Sequence, residues 1–305
     1  MSNKTVGVIW NPSKIEEEPL RAAIEGELGD EVELLWWATL EDDPGAGMAR
    51  EAVAAGCTAL IAVGGDGTVR AVAESLAGTG VGLIIVPQGT GNLLARNLDI
   101  PLDDIPAALR RIQGDTRPID LGWVEFDGER HAFAVMIGFG VDAQMLIETD
   151  EDLKDRAGWL AYVEAMGRAL AGTEMTSITV TVDDEEPHEV RAHTLLIGNC
   201  GVLQGGLRLL PDAVPDDGVL DVLMINADGP LQWLDTVRSV VWDNGIRRLL
   251  SGSQEAVSTQ TTTHLAAQRF AVELAGSQRF EIDGEEVGDV TGFVVEVQPA
   301  ALSVY

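Results

Sequence analysis

Two short glycine-rich stretches carry the residues that could do chemistry. "VGGDGT" runs from Val63 to Thr68, and "QGTGN" from Gln88 to Asn92. Each follows an apolar run ("TALIAV", "VGLIIVP") and is followed at once by a helical pattern. A strand, a glycine turn and a helix make a phosphate site, because the unpaired N–H groups of the first helical turn point outward. Glycine lets a phosphate approach the backbone. The first stretch is not the GxxxxGK[ST] loop, since it lacks the lysine and holds a carboxylate, Asp66. At ~4 Å and an effective dielectric of ~20, like charges repel by about 4 kcal/mol. The conflict disappears if Mg²⁺ stands between Asp66 and the phosphates, because magnesium keeps several waters and bridges carboxylates to nucleotide phosphates. On that reading Gly64, Gly65, Asp66, Gly67 and Thr68 hold nucleotide plus metal, with Thr68 adding a hydroxyl. Alone, the stretch reads equally well as a tight turn where glycine and aspartate serve geometry. The second loop tips the balance. Gly89, Thr90 and Asn92 repeat the grammar; Thr90 offers another hydroxyl, and Arg96 in the following helix a permanent positive charge.

Those loops need a frame. Strand and helix alternate through the first 121 residues, which implies a parallel sheet covered by helices. Such sheets bring strand carboxyl ends to one edge, where ligands bind. "PLDDIPAALRRIQG" reads as one helix, acidic at its start and basic at its end. After "RPIDLG" the pattern changes. "HAFAVMIGFG" reads as one strand with Phe133, Val135 and Ile137 on one face, and "SITVTVDDEEPHEVRAHTLLIGN" as a hairpin with an acidic turn. "VLDVLMI", "RFAVELAG", "RFEIDGEE" and "FVVEVQPAALSVY" are further strands. Helical patterns occupy 156–172 and 230–250; in the first, Trp159 and Tyr162 pack a core or form a lid over an acyl chain. The expected division is 1–121, an α/β nucleotide-binding domain, and 122–305, mostly antiparallel β.

Composition narrows the partners. The 305 residues carry a net charge of −30, and Lys4, Lys14 and Lys154 are the three lysines. That surface argues against a nucleic-acid backbone and against steady attachment to an anionic membrane. No apolar stretch approaches the ~18 residues of a bilayer span, and the N-terminus reads as a strand rather than a secretory signal. A cytoplasmic protein is expected, touching the inner membrane face at most transiently. Cys57 and Cys200 lie in or beside apolar runs without metal-ligand spacing, so both are expected as buried thiols. His131, His188, His193 and His264 show no partner spacing.

"VGGDGTVRAV", "PQGTGNLLARNL", "IDLG", "GFGVDA", "PDAVPDDGVLDV" and "IDGEEV" follow one another in an order that resembles the diacylglycerol kinase catalytic-domain family, from "NPS" at Asn11 to the end of the chain. That family includes bacterial soluble lipid kinases, sphingosine kinases and ceramide kinases. "GGDGT" alone is shared with NAD kinases and 6-phosphofructokinases; the ordered set is specific. The resemblance implies a Rossmann-like α/β domain, of the kind shared by NAD and diacylglycerol kinases, followed by an antiparallel β-sandwich that meets the lipid substrate. The active site would lie in the cleft between them, where ATP gives its γ-phosphoryl group to a lipid hydroxyl. It implies nucleotide contacts at Gly65, Asp66, Gly67, Thr68, Thr90 and Thr39. It also implies Glu285 as catalytic base, and Asp120 in a water–magnesium network with Asp66. A second magnesium site would use the Asp217 carboxylate and the Val214 and Val219 carbonyls. Taken alone, Asp283-Gly284 reads as a hairpin turn and "PDDG" as a surface turn. Many relatives have an aspartate where Leu93 follows Asn92, so any charge that residue supplies is missing here. Phosphorylation of a soluble acceptor, as in NAD kinases, and non-catalytic nucleotide sensing are the alternatives. A homodimer is the working expectation for assembly.

Overall fold

A computed structural model of the chain describes residues 4–29, 31–140, 175–204, 208–226 and 262–305. The expected helices at 156–172 and 230–250, with Trp159 and Tyr162, lie outside the described residues. Two compact units result: Met1–Leu121 with Pro215–Gly218 and Gln298–Tyr305, and Gly122–Val214 with Val219–Val297.

The first unit runs β1 (Lys4–Trp10), α1 (Glu17–Leu28), β2 (Val32–Ala38), α2 (Ala46–Ala54), β3 (Ala59–Gly64), α3 (Asp66–Leu76), β4 (Gly82–Pro87), α4 (Leu93–Asn97) and α5 (Ile105–Leu109). Its strands pair in parallel in the order β4-β3-β1-β2. β3 and β4 are buried along all six residues, as their unbroken apolar runs require. Helix α3 buries Val69, Val72, Ala73 and Leu76, one face at helical spacing. The expected helix over "PLDDIPAALRRIQG" is instead two pieces. Asp104 caps α5 by accepting the Ala107 N–H at 2.9 Å, and a 3-10 turn at Arg110–Gln113 follows. The end of the chain belongs to this unit: Ser303 and Val304 pair in parallel with Gly82 and Leu83. The Tyr305 ring covers Gly82, where an added Cβ would sit 2.4 Å from it.

The second unit takes β5 (Arg117–Phe126) from Gly122 onward, then β6 (Glu129–Phe133), β7 (Met136–Phe139), β8 (Thr176–Val182), β9 (His188–Ala192), β10 (Thr194–Gly198), β11 (Leu220–Ile225), β12 (Thr262–Ala267), β13 (Arg269–Ile282) and β14 (Glu285–Val304) up to Val297. Its ladders run antiparallel in the order β12-β11-β10-β7-β13-β14, with the β8–β9 hairpin on β13. Phe133, Phe139, Phe270, Phe280 and Ile282 lead its core, and the Phe280 and Phe293 rings stand 4.7 Å apart.

Three of the expected strands differ from the pattern. "HAFAVMIGFG" is broken between β6 and β7 at Ala134 and Val135, because the N–H groups there turn to a carboxylate rather than to a ladder. "RFAVELAG" and "RFEI" are one strand, β13, whose register against β14 shifts between Glu273 and Gln278. Cys57 and Cys200 are free and buried. Burial, with Glu33 nearby, pushes the Cys57 thiol up, so it stays protonated and unreactive at neutral pH.

Candidate active site

The four parallel strands of the first unit end in register. Trp10 lies beside Ala38, Trp10 beside Val63, and Gly64 beside Pro87. The loops after them therefore emerge from one edge. The chain leaves β1 for β2 on one side and returns to β3 on the other, so the topological switch falls between β1 and β3.

The two glycine loops are stapled together at that edge. Asp66 opens α3, and its carboxylate accepts the N–H groups of Asn92 at 2.7 Å and Leu93 at 2.5 Å. These are the first donors of α4, so Asp66 fills the anion position at the entrance to that helix. The loops also touch through backbone. A Cβ on Gly89 would lie 2.7 Å from the Gly65 Cα, and one on Gly91 2.7 Å from Asp66 Oδ2. Asn92 adopts φ +48° and closes its own loop: Oδ1 accepts the Gly89 N–H and Nδ2 donates to the Gly89 carbonyl, both at 2.8 Å. Arg96 Nε donates to the Gly91 carbonyl at 2.7 Å. Gly65, Asp66, Gly89, Asn92 and Arg96 thus form one double loop. Gly67 is half-buried in the first turn of α3, and Thr90 is exposed at the tip of the second loop. Thr68 is only 4% exposed and packs over the buried Gly64, so it shapes the turn from beneath. Leu93 is buried, and its backbone N–H, not its side chain, makes the contact to Asp66. Any residue but proline at that position supplies this N–H.

Thr39 is buried at the end of β2, its N–H donating to the Trp10 carbonyl at 2.9 Å. In sequence the Asn11-Pro12 pair is a turn signal. In the structure the Asn11 N–H donates to Val63 O at 2.9 Å, and its side-chain oxygen accepts the Ser13 N–H at 2.9 Å. It therefore stands at the switch point beside the first glycine loop. The signal available was its place at the end of β1, before Pro12.

Asp120 is buried, 2% exposed, and joins three pieces of chain. Its carboxylate accepts the Gly218 and Ala300 N–H groups, each at 2.7 Å, and its own N–H donates to Pro215 O at 2.7 Å. Arg117 adds an ion pair to Asp216 at 2.8 Å. Asp217 and Val214 are exposed in that turn, and Val219 is half-buried. In the second unit, Glu285 is exposed at the start of β14, directly after the Asp283-Gly284 turn.

Among the described residues, no three His, Cys, Asp or Glu side chains gather into a metal-binding group. Asp66 and Asp120 nevertheless suit a hydrated ion. Each is a carboxylate that accepts backbone N–H groups, and carboxylate oxygen is the donor type a hard divalent ion takes. Magnesium is bound in this manner, through retained waters, few carboxylates and substrate phosphates.

Residues 7–124 match the family model of the diacylglycerol kinase catalytic domain, and residues 135–305 match the YegS C-terminal NAD kinase beta sandwich-like domain. The chain belongs to the diacylglycerol kinase catalytic-domain family. A probable lipid kinase YegS-like protein of Pseudomonas aeruginosa is 36% identical over 227 residues, which cover 74% of this chain and 73% of that one. One from Pseudomonas putida is 29% identical across 100% of this chain and 96% of its own. The crystal structure of a diacylglycerol kinase from Bacillus anthracis shares the fold with a TM-score of 0.71 at 20% identity, covering 100% of this chain and 97% of that one. An NAD kinase from Archaeoglobus fulgidus in complex with ATP aligns with a TM-score of 0.50 at 10% identity, over 99% of this chain and 93% of that one. Within the diacylglycerol kinase frame, the double loop and Asp120 fall in the catalytic-domain match. Val214, Asp217, Val219 and Glu285 fall in the sandwich-like match.

Proposed function

We propose that this kinase transfers the γ-phosphoryl group of ATP, with Mg²⁺, to a lipid hydroxyl. The observation that carries the reading is the double loop: two strand–glycine–helix turns held in contact at the carboxyl edge of a parallel sheet. Backbone N–H groups and glycines there offer a surface for phosphates, flanked by Asn11, Thr39 and the exposed Thr90. Asp66 and Asp120 would hold metal-bound water, with Asp217 and the Val214 and Val219 carbonyls as a second site. Bound Mg²⁺ would neutralise charge on the phosphates. Glu285 accepts the proton of the lipid hydroxyl as the new O–P bond forms; the bond from Pγ to the bridging oxygen breaks, and ADP leaves. The catalytic work is positioning and charge stabilisation, as phosphoryl transfer requires. The relatives named as probable lipid kinases support a lipid acceptor over a soluble one. Among the described residues no helix is long and apolar enough to cross a membrane. The acidic surface favours brief contact with the lipid surface over permanent attachment.

Labelled ATP incubated with extracted lipids, with and without Mg²⁺, tests the reaction. Label should enter a lipid only with the metal; transfer to NAD or another soluble acceptor instead would overturn the lipid reading. Glu285→Gln should bind ATP as tightly as the parent and lose about 10²–10⁴-fold in turnover, the usual worth of a general base. Full activity in that variant removes Glu285 from the mechanism.

A further inference from the structure

We propose that Asp283 is a positioning residue for Glu285, fixing the hairpin tip from which that glutamate acts; the inference rests on Glu285 being the base. β13 and β14 are joined by a two-residue loop, with Ile282 opposite Glu285. Its residues have φ +50° at Asp283 and +83° at Gly284, the positive values that a tight right-twisted hairpin demands. A hairpin tip normally lies in water. Here Asp283 is 4% exposed. Its Oδ1 accepts the N–H groups of Val135 and Met136, and its Oδ2 that of Ala134, all at 2.9 Å. Its own N–H donates to Met136 O at 2.8 Å. Three consecutive N–H groups thus converge on one carboxylate, a nest in the gap between β6 and β7. Bonds from N–H groups to an ionised carboxylate are among the stronger hydrogen bonds of a protein.

The strand itself does not need this tie. Glu281 and Ile282 already pair with Gly138 and Ile137 of β7, so the ladder holds β13 up to the turn. The carboxylate acts only beyond the ladder, at the tip. Its effect is to bury Asp283 while Glu285, two residues on, stays exposed on a fixed backbone. A base must come within hydrogen-bond reach of its proton, and a displacement of ~1 Å can cost about 10²-fold in rate.

Asp283→Asn is the informative change. Asparagine tolerates the left-handed backbone, but its NH₂ replaces an acceptor and confronts a buried N–H. We expect the KM for ATP to stay within about twofold, kcat for lipid phosphorylation to fall about 10–100-fold, and the Ala134–Met136 amides to lose hydrogen-exchange protection. Asp283→Glu, which keeps the charge but moves it by one methylene, should recover part of kcat. The loss should vanish in a Glu285→Gln background, because no base is left to aim. A folded Asp283→Asn enzyme with normal kcat overturns the proposal. So does an equal fold-loss in both backgrounds, or failure of both Asp283 variants to fold, since each assigns Asp283 to the fold alone. Full activity of Glu285→Gln by itself strikes the underlying choice of base rather than the tie.

Discussion

Asp66 in the first unit and Asp283 in the second gather backbone N–H groups in the same way and to different ends. Asp66 reaches from α3 to the start of α4, 26 and 27 residues on, and remains half-buried. Asp283 reaches 147 to 149 residues back along the chain and is buried. In the first unit the groups proposed to meet the nucleotide are the backbone and glycines of two loops, and the carboxylate ties those loops together. In the second unit the group proposed to act is a side chain, and the carboxylate is buried while that neighbour is left in solvent. One device either builds a surface or aims a single residue, according to what lies beside it.

The comparison is broken most severely at Asp66. Asp66→Asn turns one acceptor into a donor facing the Asn92 or Leu93 N–H and removes the charge proposed to hold metal-bound water. Turnover should fall by at least about 10³-fold, the scale of losing a preorganised charge at a phosphoryl-transfer site. Steady-state assays over a range of Mg²⁺ concentrations check this. Excess metal that restored the rate would reduce Asp66 to ion recruitment and leave the loop staple without consequence.

How the two aspartates read in sequence differs for a physical reason. The glycine loops were legible because their meaning is local: apolar run, glycines and helix start lie within a dozen residues, and periodicity separates strand from helix. What Asp66 touches was not legible. Its partners are backbone atoms of another turn, and N–H groups leave no trace in residue identity. Leu93 shows the same limit, since the missing aspartate side chain drew attention while the contact to Asp66 uses the backbone. Asp283 read as a hairpin turn, which it is, but its tie to Ala134–Met136 lay hidden inside a pattern that alternates like a continuous strand. Burial here is unbroken, Ala132 through Phe139, and Phe133 and Ile137 join the sandwich core while Val135 does not, so the alternation did not mark one inward face. Nor does it report where the backbone bonds go. Pro215–Gly218 and Gln298–Tyr305, which return to the first unit, likewise meet Asp120 through backbone N–H groups, contacts across 98 and 180 residues.

Gly89→Ala sharpens the first half of the comparison without touching a charge. The new Cβ would meet the Gly65 Cα at 2.7 Å, and backbone cannot swing aside as a side chain can. The loops must part. ATP affinity, read by calorimetry, should weaken by about 10–100-fold, the cost of a roughly 1 Å misplacement. Affinity unchanged within twofold would mean that the spacing of the loops is not what the nucleotide senses.

Asp120→Asn asks whether the device holds chain segments together apart from catalysis. Asp120 is buried, and one of its two acceptors would confront the Gly218 or Ala300 N–H. Stability to urea should fall by about 2–3 kcal/mol, the worth of a buried charged hydrogen bond with its partner left unsatisfied. Hydrogen exchange should localise the loosening to Gly218 and Ala300. A loss below about 0.5 kcal/mol would show that the two returning segments are held by β14 pairing and the Arg117–Asp216 ion pair instead.

The smallest expected effect is the control that gives the comparison its edge. Asp183 repeats the Asp283 pattern closely: φ +47°, a carboxylate accepting the Gln268 and Arg269 N–H groups at 3.0 and 2.8 Å, and its own N–H donating to Arg269 O at 2.8 Å. It differs in being exposed and in having no proposed catalytic neighbour. Water competes for its donors, so Asp183→Asn should cost at most about 1 kcal/mol and leave kcat and both KM values unchanged. If kcat fell as far in Asp183→Asn as in Asp283→Asn, the aspartate-to-backbone tie would be acting on the second unit as a whole. Burial beside Glu285 would then have nothing to do with the rate.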